Sequence, residues 1–281
     1  MSTNNSNATS VFMDHVKQVL TTLPPVTKFA LFFPTFMYIL DAFTSVFSYL
    51  YLESDKVLYY FQIQRIFLYP IASKSLLEMI IITFWLLPEI YKAEKRMGTL
   101  RLIWTLASLL TIIPGIIYCI AIYLLSVYSP DFGFGIAKYV GMTGWVVGLV
   151  IINYLKQEGE PDRMIAGSIR IPNKVWPVIV LVFFVFLAPG ASFILNLSAA
   201  LLGFVYIDEK FSKYFTLSEE TVNKLEEKDW LKWLTKSSNF VSIDSSGIYL
   251  PINNPPSDNH HTITPNNNAG SFPGTGVRLG S

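Results

Sequence analysis

Apolar residues fill most of the first 210 positions, in blocks long enough to cross a lipid bilayer. The hydrocarbon core is about 30 Å thick and needs about 20 helical residues. The pattern therefore predicts spanning helices near 29–51, 76–91, 101–127 and 136–155. A fifth block, 176–207, is too long for one helix, and Pro189-Gly190 interrupts it. Because proline breaks helices and glycine supports turns, we divide it into 176–188 and 192–208.

The predicted fold class is all-α, a polytopic membrane protein with a six-helix bundle and a disordered cytosolic tail. Several of the six spans are short, which implies tilt, burial inside the bundle or a locally thinned bilayer. The predicted regions are a cytosolic N-terminal segment, a membrane domain, a charged juxtamembrane helix and the tail, at 1–28, 29–210, 211–236 and 237–281.

Two elements outside the spans have their own signals. Residues 57–69 are aromatic and apolar with a few polar positions, which predicts a helix lying in the membrane interface. Thr216-Leu-Ser-Glu219 is similar to a capping box and predicts the start of the charged helix, which we expect at the lipid headgroups. After position 237, Ser, Asn, Pro and Gly dominate, which favours disorder.

The distribution of basic residues predicts the orientation of the chain. With six spans, both tails and two connecting loops share one side. Those loops carry eight basic residues, and the loops on the other side carry four. We therefore expect both termini in the cytosol. No signal peptide is expected, because the first 28 residues lack a compact apolar region with a cleavage site.

Composition narrows the possible functions. The chain has 281 residues, 52% hydrophobic and 15% charged, with a mean hydropathy of +0.42, which is typical of a membrane protein. A net charge of +1 argues against a nucleic-acid partner. Cys119 is the single cysteine, so no disulfide framework forms within the chain. His260 and His261 are too few for a metal site, and no phosphate-binding motif is present, so no metal or cofactor is expected.

The C-terminus carries the pattern F-x-G-x-G-x-x-L, formed by Phe272, Gly274, Gly276 and Leu279 within residues 272–281. This pattern resembles the SHP box, a peptide by which rhomboid-like, derlin and other adaptor proteins dock onto the valosin-containing-protein-type AAA ATPase. Phe272 and Leu279 are apolar anchors in a segment with no core of its own. The glycines let the backbone approach a partner surface closely, and such segments fold on binding.

The membrane domain resembles the rhomboid family, in particular its six-span fungal type with a long cytosolic tail. Four stretches carry the resemblance: Arg65-Ile-Phe-Leu-Tyr-Pro70, Glu94-Lys-Arg-Met-Gly98-Thr99, Gly141-Met-Thr143-Gly144, and the segment from Ser192 through Asn196 and Ala199 to Gly203. The second is similar to the turn into the third span, the third to the nucleophile motif, and the fourth to the last span. Ala199 and Gly203 keep the four-residue spacing of small residues that allows close helix packing.

The resemblance also implies what an active family member contains. It has a serine nucleophile, a histidine base in the last span, and an H-x-x-x-N pair that contributes to the oxyanion site. Here the serine position is Thr143 and the base position is Asn196, and spacing back from Gly98 gives Glu78 and Ile82 for the pair. The three histidines all lie in the tails. We therefore expect Thr143 to be a packing residue that bonds to a helix carbonyl.

Two acidic residues fall inside predicted spans. Asp41 lies in the first and Glu78 in the second. An ionisable group at the bilayer centre costs about 2.5–3.5 kcal/mol on insertion scales and is a candidate functional residue. One interpretation is a small transporter that uses both acids. The favoured one is that Glu78 lines a wet cavity and Asp41 bonds to neighbouring Thr or Tyr hydroxyls.

Together these patterns predict a rhomboid-like pseudoprotease, not an enzyme, in the endoplasmic reticulum or Golgi membrane. Its short spans and polar interior, formed by Glu78, Thr143, Asn153 and Asn196, would admit a transmembrane client protein. Its tail would bring the valosin-containing-protein-type AAA ATPase to that client, for membrane-protein quality control. The alternatives are an active rhomboid-type intramembrane endopeptidase using Thr143 and a transporter using Asp41 and Glu78.

Overall fold

A computed structural model describes residues 13–14, 17–18, 20–129, 138–155, 163–165, 169–184, 192–237 and 239–242. All of these belong to one compact unit, Met1–Ile248. The C-terminal motif at 272–281 and the predicted break at Pro189-Gly190 lie outside the described residues.

Helices dominate the described chain and confirm the all-α fold class. In chain order they are α1 Pro25–Thr44, α2 Ser54–Leu58, α3 Gln64–Leu68, α4 Leu76–Met97, α5 Thr99–Ala107, α6 Ile113–Tyr128, α7 Thr143–Leu155, α8 Trp176–Val182, α9 Phe193–Ile207, α10 Glu209–Phe215, α11 Glu219–Glu226 and α12 Lys232–Thr235. Each of the six predicted spans contains one or more of these helices.

Length and composition identify the helices able to cross a membrane. Pro25–Thr44 and the continuous helix Thr99–Tyr128 qualify, and Leu76–Met97 qualifies as a bent pair with Gln64–Ile71, which it meets at 87°. Helices α7 and α9 are apolar but shorter. The 30-residue helix contains a wide π turn at Ser108–Ile112. Pro114, which has no N–H to give to the preceding turn, is the second residue after this turn.

Two antiparallel strand pairs brace the connections. Strand β1, Leu52–Glu53, pairs with β2, Lys138–Tyr139. Strands β3, Arg163–Ile165, and β4, Ile169–Ile171, pair with each other. The first pair joins the connection after α1 to the connection before α7, although more than 80 residues separate them in sequence.

Helix α7 lies at the centre of the bundle and is buried along nearly its whole length. It packs against α9 through two pairs of small residues at four-residue spacing. A Cβ on Gly144 would lie 3.5 Å from Cβ of Ala199, and a Cβ on Gly203 would lie 3.0 Å from the carbonyl oxygen of Gly148. The two backbones therefore approach closely, as small residues in membrane helices allow.

Two predicted boundaries in the first third of the chain are wrong. Helix α1 ends at Thr44 and not near 51, because Ser45 takes a left-handed conformation with φ of 53°. The segment 57–69 is not one helix but the pair α2 and α3, and Phe61, with φ of 53°, lies in the break. Residues around this break are exposed and largely aromatic, namely Tyr59, Tyr60, Phe61 and Ile63.

The charged helix predicted at 211–236 is also divided. It consists of α10, α11, a 3-10 turn at Asp229–Leu231 and α12. The predicted capping box at Thr216 is wrong, because Ser218 is the N-cap of α11 and accepts a hydrogen bond from the Thr221 N–H at 3.2 Å. Both residues fit a Ser/Thr capping signal.

These C-terminal helices dock onto the end of the bundle where α4 turns into α5, here called the Gly98 end. Leu100 of α5 packs with Val222, Leu231 and Leu234 in a small apolar cluster. The Arg101 Nε donates to the Leu217 carbonyl at 3.1 Å. The outer side chains Trp230 and Trp233 stay 66% and 75% exposed. The segment is therefore held by the bundle while it offers two tryptophans to its surroundings.

The contact between α7 and α9 makes a first prediction. Gly203→Ala places a methyl group 3.0 Å from the Gly148 carbonyl oxygen and 3.3 Å from Cβ of Ile151. Both are rigid parts of α7, so we expect a loss of unfolding free energy of about 1–3 kcal/mol. Thermal or denaturant unfolding in detergent measures it. Leu201→Ala, on the exposed side of the same helix, is the control and should change stability less; the opposite order would contradict this packing.

Candidate functional site

Thr143 and Asn196 meet at the centre of the bundle. Thr143 is the first residue of α7 and Asn196 lies in the first turn of α9, and both are fully buried. The Thr143 hydroxyl donates to the Asn196 side-chain oxygen at 2.8 Å. A short hydrogen bond joins the same hydroxyl to the Tyr139 hydroxyl. The expected bond from Thr143 to a helix carbonyl is wrong, because no helical turn precedes the first residue of α7.

The direction of these hydrogen bonds decides their chemistry. Since the Thr143 proton points to Asn196, the Thr143 oxygen accepts from Tyr139, and the Asn196 amide N–H donates to the Phe184 carbonyl at 3.4 Å. Each group in this series of hydrogen bonds is neutral and has a partner: the Tyr139 hydroxyl, the Thr143 hydroxyl, the Asn196 amide and the Phe184 carbonyl. An amide oxygen does not hold a proton at neutral pH, and the described part of the chain contains no histidine. Neither group that is hydrogen-bonded to the Thr143 hydroxyl, the Asn196 amide oxygen or the Tyr139 hydroxyl, is a general base at neutral pH.

Gly141 joins this pair to the start of α4. Its φ of +108° is a conformation that glycine adopts freely. A Cβ at Gly141 would lie 3.6 Å from Oε1 of Glu78 and 3.7 Å from Cδ1 of Ile82. Glu78, Ile82, Gly141, Thr143 and Asn196, singled out from the sequence by family spacing, therefore come together at one end of the bundle, here called the Gly141 end.

Only one of the two carboxylate oxygens of Glu78 accepts a hydrogen bond from the described residues. The carboxylate oxygen Oε2 accepts from the Lys74 N–H at 3.2 Å, and the Glu78 N–H donates to Ser75, the N-cap of α4. Oxygen Oε1 is buried and accepts no hydrogen bond from any residue that the structure describes. The residue as a whole is 5% exposed. An unpaired buried acceptor is rare and calls for an explanation.

Asp41 has a backbone partner and not the hydroxyl partner expected from the sequence. Its Oδ1 accepts from the Phe47 N–H at 2.6 Å, so it caps the 3-10 turn Val46–Tyr49. Tyr51, just after this turn, is half-buried. Burial raises the pKa of the Tyr51 hydroxyl, and the carboxylates of Asp41 and then Glu78 raise it further. The Asp41 carboxylate thus binds the 3-10 turn Val46–Tyr49, and the Glu78 carboxylate lies close enough to affect Tyr51 just after it.

Arg65 holds the connection after α1 in position through Ser48, Tyr51 and Glu53. Its Nη1 donates to the Tyr51 carbonyl at 2.6 Å and to the Ser48 carbonyl at 3.2 Å, and pairs with Glu53 at 3.4 Å. Glu53 also pairs with Lys138 on the neighbouring strand at 3.5 Å. Arg65 is only 5% exposed. The arginine of the family-like stretch therefore organises the connection that lies near Glu78.

At the opposite end, Glu94 caps the start of α1. Its carboxylate accepts from the N–H groups of Val26 and Thr27 at 3.0 and 2.9 Å, and from the hydroxyls of Thr27 and Thr99 at 2.8 and 3.0 Å. These N–H groups have no partner within the helix, and a negative charge at a helix N-terminus is favourable. Gly98, with φ of 84°, makes the turn from α4 to α5 that brings Thr99 to Glu94.

The C-terminal end of the described chain, at Asn239 and Val241, contacts Thr99 and the residues just before α1. Thr99 donates its N–H to the Val241 carbonyl at 2.9 Å, and the Val241 N–H donates to the Thr99 hydroxyl at 3.2 Å. The Asn239 amide donates to the Leu23 carbonyl at 3.2 Å. The chain therefore leaves the described region from a fixed point beside the start of α1.

The sequence placed Asn153 in the polar interior, but sequence reasoning missed the buried polar network that it forms between α4 and α7. The Asn153 amide donates to Glu89 at 2.9 Å and its oxygen accepts from Arg96 at 2.9 Å. The Tyr154 hydroxyl contacts Glu89 at 3.3 Å and accepts from Lys92 at 2.8 Å. Glu89, Lys92 and Arg96 are spaced three and four residues apart, which places them on one helix face; that spacing was the available signal.

Among the described residues, no group of three or more His, Cys, Asp or Glu side chains is arranged to hold a metal ion. Cys119 is buried, and Ser54 donates to its carbonyl at 2.7 Å.

Comparison with known proteins identifies two similar sequences. "Rhomboid-type serine protease 2" of Eremothecium gossypii is 27% identical over 199 residues, which cover 68% of this chain and 72% of that protein. "Rhomboid-like protein 15" of Arabidopsis thaliana is 23% identical over 184 residues, which cover 64% of this chain and 45% of that protein. No family model matches the chain. The two similarities support membership of the rhomboid superfamily.

The Glu94 cap makes a second prediction. Glu94→Gln removes the charge and one acceptor from a carboxylate with four donors, so we expect a loss of about 2–4 kcal/mol of unfolding free energy. Unfolding in detergent measures the loss. The control is Glu219→Gln, since Glu219 is largely exposed and pairs with Arg101 at 3.6 Å; an exposed pair contributes about 0–1 kcal/mol. Equal effects of the two substitutions would contradict the capping role.

Proposed function

We propose that this chain is a rhomboid-like membrane protein without peptidase activity, which binds transmembrane segments of client proteins and recruits the valosin-containing-protein-type AAA ATPase through its tail. The observation that carries the first part is the hydrogen bond from Thr143 to the neutral amide of Asn196. The proposed setting is membrane-protein quality control at the endoplasmic reticulum or Golgi membrane, with both termini in the cytosol.

Peptide cleavage requires a nucleophile whose proton moves to a base. The Thr143 hydroxyl oxygen lies 2.8 Å from the Asn196 amide oxygen to which it donates, and an amide oxygen is far too weak a base to take the proton at neutral pH. The second hydrogen bond of Thr143, to Tyr139, keeps its oxygen engaged as well. The geometry thus supports a threonine that holds α7 and α9 together.

The surroundings are also unsuited to a tetrahedral intermediate. Such an intermediate needs hydrogen-bond donors directed at its negative oxygen. At this site the position beside Gly141 is taken by Oε1 of Glu78, and the next residue along that face is the apolar Ile82. An ionised carboxylate repels a developing negative charge, and a methyl group gives it no hydrogen bond. These contacts support binding as the function of the site.

Client binding is supported by the dimensions of the bundle. Helix α7 has 13 residues and α9 has 15, which gives lengths of about 20 and 22 Å, against a hydrocarbon core of about 30 Å. Helix α7 is enclosed by the bundle, but α9 carries exposed apolar side chains such as Leu201 and Phe204, so its short length favours a thinner bilayer beside it. A client segment with polar residues is less costly to hold in such a region than in an unperturbed bilayer.

Recruitment of the ATPase is supported by the place where the chain leaves the bundle. Val241 is held at the Gly98 end by its two hydrogen bonds with Thr99. From Ser242 to Phe272 the chain has 30 further residues, and a random coil of that length spans about 30 Å. A tether of this reach raises the local concentration of a bound partner at the membrane surface.

The tail makes the next prediction. A peptide of residues 262–281 should bind the purified ATPase, and the same peptide with Phe272→Ala and Leu279→Ala should not, because both apolar anchors are removed. Fluorescence anisotropy measures the two affinities. A matched control is Thr275→Ala, at a position that the F-x-G-x-G-x-x-L pattern leaves open. Binding by neither the native nor the control peptide would overturn the recruitment proposal.

The absence of peptidase activity is tested separately. The purified chain should leave candidate membrane substrates uncut, with the Eremothecium gossypii relative as a positive control for the assay. Thr143→Ala should give the same result as the native chain. Cleavage by the native chain that disappears in Thr143→Ala would establish a threonine peptidase and overturn the proposal.

A further inference from the structure

A groove that the candidate site does not use lies between α1 and α5. Three residues of each helix line it, namely Val26, Phe29, Ala30, Ile103, Leu106 and Ala107. At the Gly98 end the two helices start side by side, because the Glu94 carboxylate accepts hydrogen bonds from Thr27 of α1 and from Thr99 of α5. The groove therefore begins just inside the end where these helices are joined.

The groove opens sideways from the bundle. Phe29 and Ile103 are 46% and 40% exposed and mark its edges, whereas Ala30 and Leu106 are 2% and 4% exposed and form its floor. Both walls belong to helices that are long and apolar enough to cross a membrane. The opening of the groove therefore faces the lipid chains that surround these helices.

The position of the groove along the helices matches one leaflet of a bilayer. Phe29 lies four residues after Pro25, and Ile103 lies four residues after Thr99. Thr111, which lines the inner end of the groove, lies twelve residues after Thr99. At 1.5 Å per residue these positions are about 6 and 18 Å from the helix starts, and half of the hydrocarbon core is about 15 Å thick. A chain in the groove would thus run beside the helices, at the depth of the lipid chains in that leaflet.

The lining has the chemistry that suits a hydrocarbon chain. No charged side chain occurs among the described residues that line the groove. At its inner end the Thr111 hydroxyl donates to the Leu106 carbonyl at 2.8 Å and accepts from the Trp145 indole N–H at 2.9 Å. These two polar side chains are therefore already paired with each other, which favours an apolar ligand.

The size of the groove excludes a whole helix. Its volume is about 200 Å³. One helical turn, about 10 Å wide and 5.4 Å long, fills about 400 Å³, so the transmembrane helix of another protein does not enter. An alkyl chain is narrower than a helix. The walls of an unfilled groove would lose their dispersion contacts, and a chain that fills it restores them.

We propose that this groove binds one acyl chain of a membrane phospholipid, from the leaflet at the Gly98 end of the bundle. The bound chain fills the space between α1 and α5 beyond the Glu94 contact, and a ligand that binds the native state stabilises it. This inference does not depend on the proposed function, because it concerns the lipid that the bundle holds and not a client or the ATPase.

The test uses the full-length protein in liposomes of a phosphatidylcholine that carries a photoreactive group in one acyl chain. After irradiation, mass spectrometry locates the labelled residues. Leu106 is 4% exposed, and Leu201, near the middle of α9, is 60% exposed. A bound chain should label Leu106 about fivefold more than Leu201, although general contact with the bilayer gives the reverse order. Stronger labelling of Leu201 would therefore overturn the proposal.

Two substitutions add the same ring at exposed alanines. Ala107→Phe fills the groove, and Ala42→Phe, on α1 outside the lining residues, is the matched control. Label on Leu106 should fall about fivefold in Ala107→Phe and stay unchanged in Ala42→Phe. An unchanged label in Ala107→Phe would show that the chain lies elsewhere and overturn the proposal. The comparison of Leu106 with Leu201 in the native protein needs no variant, so it stays valid even if Ala107→Phe folds poorly.

An excess of an apolar single-span peptide distinguishes a lipid from a protein occupant. The label on Leu106 should persist in its presence, because a helix does not enter the groove. Loss of the label would assign the groove to a side chain of the peptide and overturn the lipid proposal. The binding of the ATPase to the tail peptide and the cleavage assay are measured separately, so their failure leaves this inference intact.

Discussion

The arrangement of the bundle depends on the carboxylate of Glu94. It takes up the free N–H groups at the start of α1 and the hydroxyls of Thr27 and Thr99, so the start of α1, the end of α4 and the start of α5 meet at one point. Inside a membrane, polar backbone groups that water does not reach need partners within the protein. Thr99 then extends the same contact to Val241, so the first span and the C-terminal segment are positioned by one acid.

The same requirement positions α7 at both of its ends. Thr143, its first residue, is bonded to Asn196 of α9, and Asn153, near its last, is bonded to Glu89 and Arg96 of α4. Between these points the helix carries Gly144 and Gly148, which let α9 approach closely. A helix of 13 residues has little apolar length to hold it in a bilayer. Polar pairs at its ends and backbone contact between them supply the positional constraint instead.

The sequence predicted the helical fold class and the six apolar stretches, because spanning length and hydropathy are properties of local composition. The breaks at Ser45 and Phe61 were not predictable, since neither residue is a usual choice for a positive φ. Val26 and Thr27 lie more than 60 residues from Glu94, as Asn153 and Tyr154 do from Glu89, and only the fold brings them together. Thr143 was given a helix carbonyl as partner because its position as first residue of α7 is not visible in the sequence.

The candidate site depends both on the sequence pattern and on the fold. Family spacing in the sequence selected Glu78, Ile82, Thr143 and Asn196, and the fold places them around Gly141. Acyl transfer needs a base for the nucleophile's proton and donors for an oxyanion. The side chains present there provide neutral bonded groups and a carboxylate oxygen that only accepts. A site of this polarity does little to stabilise a negative intermediate, and the proposal of binding without cleavage rests on that property.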